Sequence, residues 1–176
     1  MRKPGRKAAF LATPLLTFAF VAAGIPNAQA ATAWAFYEQN RTVCMVANQG
    51  SIYDQGNCPT PSTVNHVGLW NPIQEGTDPV TGKEMYVFKN VHYGNCLAIG
   101  DTGGPYGATC PSGSGLNGVN HVQLWILVPS VDNSGSGDAI VNIHTRHSLF
   151  WSSSSSAITQ TGNGPNSIWN VGTTSV

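Results

Sequence analysis

Charge is what this chain has least of. Of 176 residues only 9% are Asp, Glu, Lys or Arg, eight acidic and eight basic. Four of the basic ones, Arg2, Lys3, Arg6 and Lys7, crowd the first seven positions. From residue 31 onward Arg41, Lys83, Lys89 and Arg146 stand against eight carboxylates, a net charge of −4 with His neutral. Gripping phosphate takes clustered Lys and Arg. Scattered single cations argue against nucleic acid or an anionic membrane as partner. Cysteine is also scarce, four in all, and none stands in the Cys-x-x-Cys pair that structural zinc sites favour. No stretch has the apolar spacing of a useful amphipathic helix, and nothing beyond the N-terminal run is long and apolar enough to span a bilayer. Catalysis needs a base, a nucleophile or paired carboxylates in a cleft. Here the acidic residues are spread along turns. The expectation is a non-enzymatic protein with no cofactor and no metal.

What is present begins with an address. Behind the basic cluster, Ala8 to Ile25 is apolar apart from Thr13, Pro14, Thr17 and Gly24, and Ala28-Gln29-Ala30 forms a small-x-small cleavage site. Residues 1–30 therefore read as a cleaved signal peptide, with the mature chain starting at Ala31. An uncleaved anchor is the alternative, since the apolar run approaches spanning length; Pro14 and the Ala-x-Ala ending favour cleavage. Without an Arg-Arg pair, the general export route fits better than the twin-arginine one. The expected location is extracellular, where disulfides persist. Residues 31–176 suit a single domain.

The organising feature is a repeat. Val119-Asn120-His121-Val122-Gln123-Leu124-Trp125 has a near-copy at Val64-Asn65-His66-Val67-Gly68-Leu69-Trp70 and a shortened echo at Asn166-Ser167-Ile168-Trp169. The first two copies follow cysteine pairs of identical spacing, Cys44 with Cys58 and Cys96 with Cys110. Pairing within each repeat is the expectation, although four cysteines allow three connectivities, and each closed loop should contribute about 3 kcal/mol. Counting back eight residues from Cys44, Cys96 and Ser148 gives Phe36, Phe88 and Ile140. Each segment reads strand, polar turn, strand. The third repeat has lost its staple, with Ser148 and Gly162 at the cysteine positions. Asp78-Pro79-Val80-Thr81-Gly82 and Asp132-Asn133-Ser134-Gly135-Ser136-Gly137 are hairpin signals between repeats. Short strands with Gly- and Pro-rich turns throughout argue an all-β fold. No repeat can bury its apolar face alone, so three must share one core.

Three units spanning about 34–75, 85–130 and 138–174, with these cysteine and Gln-x-Trp-like landmarks, resemble the ricin B-type β-trefoil lectin family. Gln123-Leu124-Trp125 matches the family's Gln-x-Trp; Gly68-Leu69-Trp70 and Ser167-Ile168-Trp169 keep the tryptophan without the glutamine. The resemblance implies a six-stranded barrel capped by three hairpins with pseudo-threefold symmetry. Phe36, Phe88, Ile140, Trp70, Trp125 and Trp169 would then fill the shared core. It also implies a sugar site in each repeat. In the family an Asp lies two residues after the first cysteine, an aromatic just before the second, and an Asn before the Gln of Gln-x-Trp. Here the Asp position holds Val46, Ala98 and Phe150. The aromatic position holds Gly56 and Ala108, and the Asn position Val67, Val122 and Asn166. Loss of these hydroxyl-binding partners weakens a sugar site built on them.

A modified cup in the second repeat is the remaining candidate: Asp101 as acceptor, Tyr106 as aromatic face, and Asn120 and Gln123 on the return strand. The opposing reading has Asp101 and Asn120 bonding their own loops as Asx turns. Tyr53 and Asp54 form a weaker parallel in repeat one. His66 and His121 share a position that suggests bonding to a neighbouring loop. His144 and His147 invite a metal reading, but on a strand residues three apart face opposite sides. Asn40-Arg41-Thr42 is a glycosylation sequon. The expected function is a secreted carbohydrate-binding module with a diverged site. Two alternatives are a protein-recognition subunit resembling those of cytolethal distending toxins, and a trefoil protease inhibitor, a family that lacks Gln-x-Trp repeats.

Overall fold

A computed structural model describes residues 32–38, 43–56, 66–113, 118–129, 137–152, 157–161 and 169–175. The signal segment, the sequon, Cys58, Asn166 and the 132–136 part of the second hairpin signal lie outside the described residues. Twelve strands follow one another: β1 (Thr32–Glu38), β2 (Val43–Ala47), β3 (Ile52–Gly56), β4 (Trp70–Thr77), β5 (Glu84–Asn90), β6 (Cys96–Ile99), β7 (Pro105–Ala108), β8 (Trp125–Pro129), β9 (Asp138–Asn142), β10 (Ser148–Ser152), β11 (Ala157–Thr161) and β12 (Trp169–Ser175). Short 3₁₀ turns at His66–Gly68 and His121–Gln123 precede β4 and β8.

Period-two alternation sets which side chains enter the centre. In β1, Trp34 and Phe36 join the main core while Ala33 and Ala35 pack outward with Leu69. In β5, Tyr86 and Phe88 turn inward while Met85 and Val87 join a second cluster with Leu124, Ile126 and Ile143. Antiparallel pairing runs β1–β4, β4–β5, β5–β8, β8–β9, β9–β12 and back from β12 to β1. Those six strands close a barrel, so none of them presents a free edge. Hairpins β2–β3, β6–β7 and β10–β11 cap it, each joined to β1, β5 or β9 through one residue pair. The architecture is a β-trefoil of three four-stranded repeats.

The same bond recurs in each repeat. Trp70, Trp125 and Trp169 have no solvent exposure, and their indole N–H groups donate to the carbonyls of Met45 (3.3 Å), Leu97 (2.9 Å) and Leu149 (3.2 Å). Those acceptors are spaced by fifty-two residues. Phe36, Phe88 and Ile140, spaced identically, are fully buried among them, and the Phe36 and Phe88 rings meet edge-on at 5.0 Å. A second recurring bond involves asparagine. Asn90 Nδ2 donates to the Val67 and Leu69 carbonyls while its Oδ1 accepts from the His92 and Tyr93 amides. Asn142 repeats this with Val122, Leu124, His144 and Thr145. Each asparagine ties its β-turn to the strand entry of the preceding repeat.

Cys96 and Cys110 form a disulfide with Cα atoms 5.0 Å apart. Cys44 is also disulfide-bonded, and no described cysteine is free. A further link was not visible from spacing. Asp78, in the β4–β5 turn, is fully buried and receives both Arg146 guanidinium nitrogens at 2.8 and 2.9 Å, besides the Thr81 hydroxyl at 2.6 Å. Arg146 stands at φ 59°, the left-handed position that Gly94 takes at φ 70° in repeat two. A side chain there is uncommon outside glycine; the two-pronged bond to Asp78 offsets that strain.

Replacing Trp125 by Phe strands the Leu97 carbonyl and leaves a void, and should cost about 2–4 kcal/mol in urea unfolding, with comparable losses for Trp70→Phe and Trp169→Phe. Arg146 bonding holds the Asp78 carboxyl well below the ordinary carboxylate range against the opposing effect of burial. A depressed folded-state value means this stabilisation is complete above about pH 4 and fades as acid protonates Asp78. The unfolding midpoint of the wild type should therefore fall more steeply below about pH 4 than that of Asp78→Asn. At neutral pH, Asp78→Ala should cost about 2–3 kcal/mol, below the range for a fully buried pair because Arg146 is part-exposed.

Candidate functional site

The four candidate side chains of repeat two do not face one cup. Gln123 is 4% exposed and its Nε2 donates to the Thr109 carbonyl at 2.8 Å, tying the 3₁₀ turn to the end of the β6–β7 hairpin. Asn120 caps that turn, its Oδ1 accepting from the Val122 amide at 3.3 Å. These two serve the fold. Asp101 lies at the hairpin tip, highly exposed, with Oδ1 2.9 Å from His144 Nε2 of repeat three. Its partner is a side chain of another repeat and not its own loop. Tyr106 sits opposite Ala98 on β7 and is 39% exposed. In repeat one Tyr53 sits opposite Val46 and is 43% exposed. Val46 and Ala98 are spaced by fifty-two residues, so the two tyrosines occupy the same place on successive hairpins. Thr159, opposite Phe150, is their counterpart in repeat three.

Directly paired residues on antiparallel strands share a face. Tyr53 and Tyr106 thus stand outward over buried Val46 and Ala98, while Met45, Ile52, Leu97 and Ile99 point into the core. An isolated bridge between Ser51 and Tyr106 links the two hairpins. His144 and His147 belong to the turn between β9 and β10, where the strand–turn–strand pattern of the repeat puts them. His144 meets Asp101, and His147 Nδ1 lies 3.3 Å from Gln160 Oε1. Among the described residues no group of three or more His, Cys, Asp or Glu is placed to hold a metal ion.

A cavity of about 330 Å³ opens where repeat one meets repeat two, lined by Gln49, Tyr93, Gly94, Asn95 and the stretch from Gly107 to Cys110. Asn95 Nδ2 donates to the Asn48 carbonyl at 3.2 Å and reaches the Gln49 carbonyl at 3.5 Å, which fixes the orientation of the amide. Its Oδ1 is buried with no hydrogen-bond partner. Leaving a buried acceptor unpaired costs about 1–3 kcal/mol. A Cβ at Gly107 would fall 2.1 Å from Asn95 Nδ2, so a side chain there would have to displace the Asn95 amide. Reading the chain for landmark motifs missed this site. The signal was the fifty-two-residue offset applied to turn residues: it pairs Gln49 with Asp101, His92 with His144 and Asn95 with His147.

Two shifted groups lie at matching positions of β5 and β9, also fifty-two residues apart. Tyr86 is pushed up to about 12, first by burial and then by Glu84, to which its hydroxyl donates. Asp138 is raised by burial, with Lys83 pulling the other way. Both shifts have structural causes in place.

No family model matches the chain, and no curated protein matches it in sequence. Its fold does match solved structures. The BEL β-trefoil aligns at a TM-score of 0.62 and 11% identity, over 83% of this chain and 95% of that one. Cytolethal distending toxin from Actinobacillus actinomycetemcomitans aligns at 0.57 and 14%, over 82% and 92%. The Polyporus squamosus lectin, solved with a human-type influenza-binding epitope, aligns at 0.55 and 13%, over 81% of this chain and 49% of the lectin. At these identities the likeness is one of fold: the chain is similar to β-trefoil proteins that include a lectin and a toxin.

Proposed function

We propose that this chain is an exported, non-catalytic binding module of the ricin B-like kind, and that it takes glycans on the outward faces of its hairpins. The basic, apolar, Ala-x-Ala-ended leader and the disulfides support export. The observation that carries the ligand class is the pair Tyr53 and Tyr106, exposed at one repeated position over buried Val46 and Ala98. A tyrosine offers an apolar ring face and a hydroxyl tip, which suits the alternating C–H and O–H surface of a sugar. The family's acceptor position is apolar in all three repeats. Binding therefore leans on stacking, each contact is weak, and two sites on one chain engage a repeating glycan better than a lone sugar. That a lectin shares the fold is consistent with this reading.

A protein-recognition subunit is the second reading, favoured by the likeness to cytolethal distending toxin and by the missing acceptors. Polysaccharide pull-down and glycan-array binding separate the two. On the glycan reading the wild type is retained, Tyr106→Ala binds roughly tenfold more weakly, and the Tyr53→Ala/Tyr106→Ala double variant is lost further. A wild type that ignores every glycan offered, in a folded state by circular dichroism, would transfer support to the protein reading.

A further inference from the structure

One set of equivalent positions inside the barrel holds two aromatic rings and a carboxylate. Trp34, Tyr86 and Asp138 are spaced by fifty-two residues. Each stands two residues before a fully buried member of the main core, Phe36, Phe88 or Ile140, and so shares its face of the strand. Each also pairs across the ladder with a core tryptophan: Trp34 with Trp70, Tyr86 with Trp125 and Asp138 with Trp169. Directly paired residues share a face, so all three side chains turn toward the barrel axis. All three are half-buried, which puts them at a mouth of the barrel that solvent reaches.

The carboxylate does not suit these surroundings. The Trp34 and Tyr86 rings lie 5.2 Å apart, tilted at 56°, and Tyr86 is stacked on Phe88 at 6.0 Å. Aromatic faces are electronegative, so they repel an anion and attract a cation. Burial opposes the charged form of Asp138 as well, against the pull of Lys83. Among the described residues nothing donates a hydrogen bond to the Asp138 carboxylate, and no cation lies within ion-pair distance of it. Lys83 acts from farther off, with its own side chain exposed. The Tyr86 hydroxyl donates to Glu84, which brings a second carboxylate to the rim. Two carboxylates against one lysine leave this mouth with a net charge of −1.

We propose that this barrel mouth binds the primary ammonium group of a short alkyl chain, with Asp138 accepting its N–H bonds and Trp34 and Tyr86 facing its charge and methylenes. The site is separate from the hairpin tyrosines and independent of the glycan reading given for them. Its chemistry selects the ligand class. An anion would meet Asp138 and Glu84 at like charge, and a neutral ligand would leave the Asp138 charge uncompensated. A quaternary ammonium would suit the rings but has no N–H for the carboxylate, whereas a primary ammonium brings three donors. Asp138 is much smaller than the Trp and Tyr that hold its place in the other repeats. The space a third ring would take is left to the alkyl chain.

The test is titration of the full chain, expressed with its leader and purified as processed, followed by amide and indole NMR at constant ionic strength. The probes are n-butylammonium and Nα-acetyl-lysine methylamide, with n-butanol, butyrate and tetramethylammonium as controls. Butylammonium should shift the Trp34 indole and the Tyr86 and Asp138 amides, and butanol and butyrate should not. Tetramethylammonium should bind roughly fivefold more weakly or worse. A response to the capped lysine as well assigns a lysine side chain as ligand, and a response to butylammonium alone assigns free amines; either supports the site. Asp138→Asn should weaken butylammonium binding by roughly tenfold while the thermal midpoint holds or rises, because the fold loses only a half-buried charge. Lys83→Ala should strengthen binding by about twofold, since it removes a competing cation. The Tyr53→Ala/Tyr106→Ala variant should bind butylammonium as the wild type does, which keeps this site distinguishable from the hairpin faces. Four results would overturn the proposal: no shift of those signals with either primary ammonium, equal shifts from butanol or tetramethylammonium, binding indifferent to Asp138→Asn, or a thermal midpoint lowered by Asp138→Asn, which would make the carboxylate a part of the fold.

Discussion

Three indole N–H groups, each donating to a backbone carbonyl one hairpin away, hold this fold in register. A tryptophan is large enough to fill the barrel centre, but its N–H cannot be buried without an acceptor. The acceptors are supplied by Met45, Leu97 and Leu149, one in each first hairpin strand. Ring and bond together join β4, β8 and β12 of the barrel to the hairpins that cap it. In the β-ladder each cap joins its barrel strand at a single residue pair. Closure of the barrel depends on β12 reaching β1 over seven pairs from Thr32 to Glu38, so the last repeat must be held as firmly as the first. The asparagines at 90 and 142 add the link in the other direction, from each turn back to the strand entry of the repeat before it.

Much of this was legible in the chain because it is written three times. Alternation in β1, β5 and β9 separates core from periphery, and the tryptophans and phenylalanines announce a shared interior. The turn Asp78–Gly82 could be placed from its residue types, yet its main contact could not. Arg146 is distant in sequence, and it takes a backbone conformation normally left to glycine. No local rule brings it to Asp78. The candidate site was read less well for a related reason. Asp101, Tyr106, Asn120 and Gln123 all stand close in sequence to the Cys and Gln-x-Trp landmarks, but burial and bonding sort them differently. Gln123 turns inward to Thr109, Asn120 caps its own turn, and Asp101 reaches across to repeat three. Sequence position tells which loop a polar residue occupies. It does not tell which neighbouring repeat its side chain meets.

Repetition also explains where the repeats are free to differ. Positions whose side chains meet at the common axis are coupled to one another through packing, so a change in one disturbs the other two. Hairpin faces and junction turns carry no such coupling. Opposite Tyr53 and Tyr106, the third hairpin has Thr159; opposite the bond between Asp101 and His144, the first junction has Gln49 and a histidine folded onto its neighbour. The loss of the first cysteine in repeat three, where Ser148 is buried on β10, is tolerated in the same way.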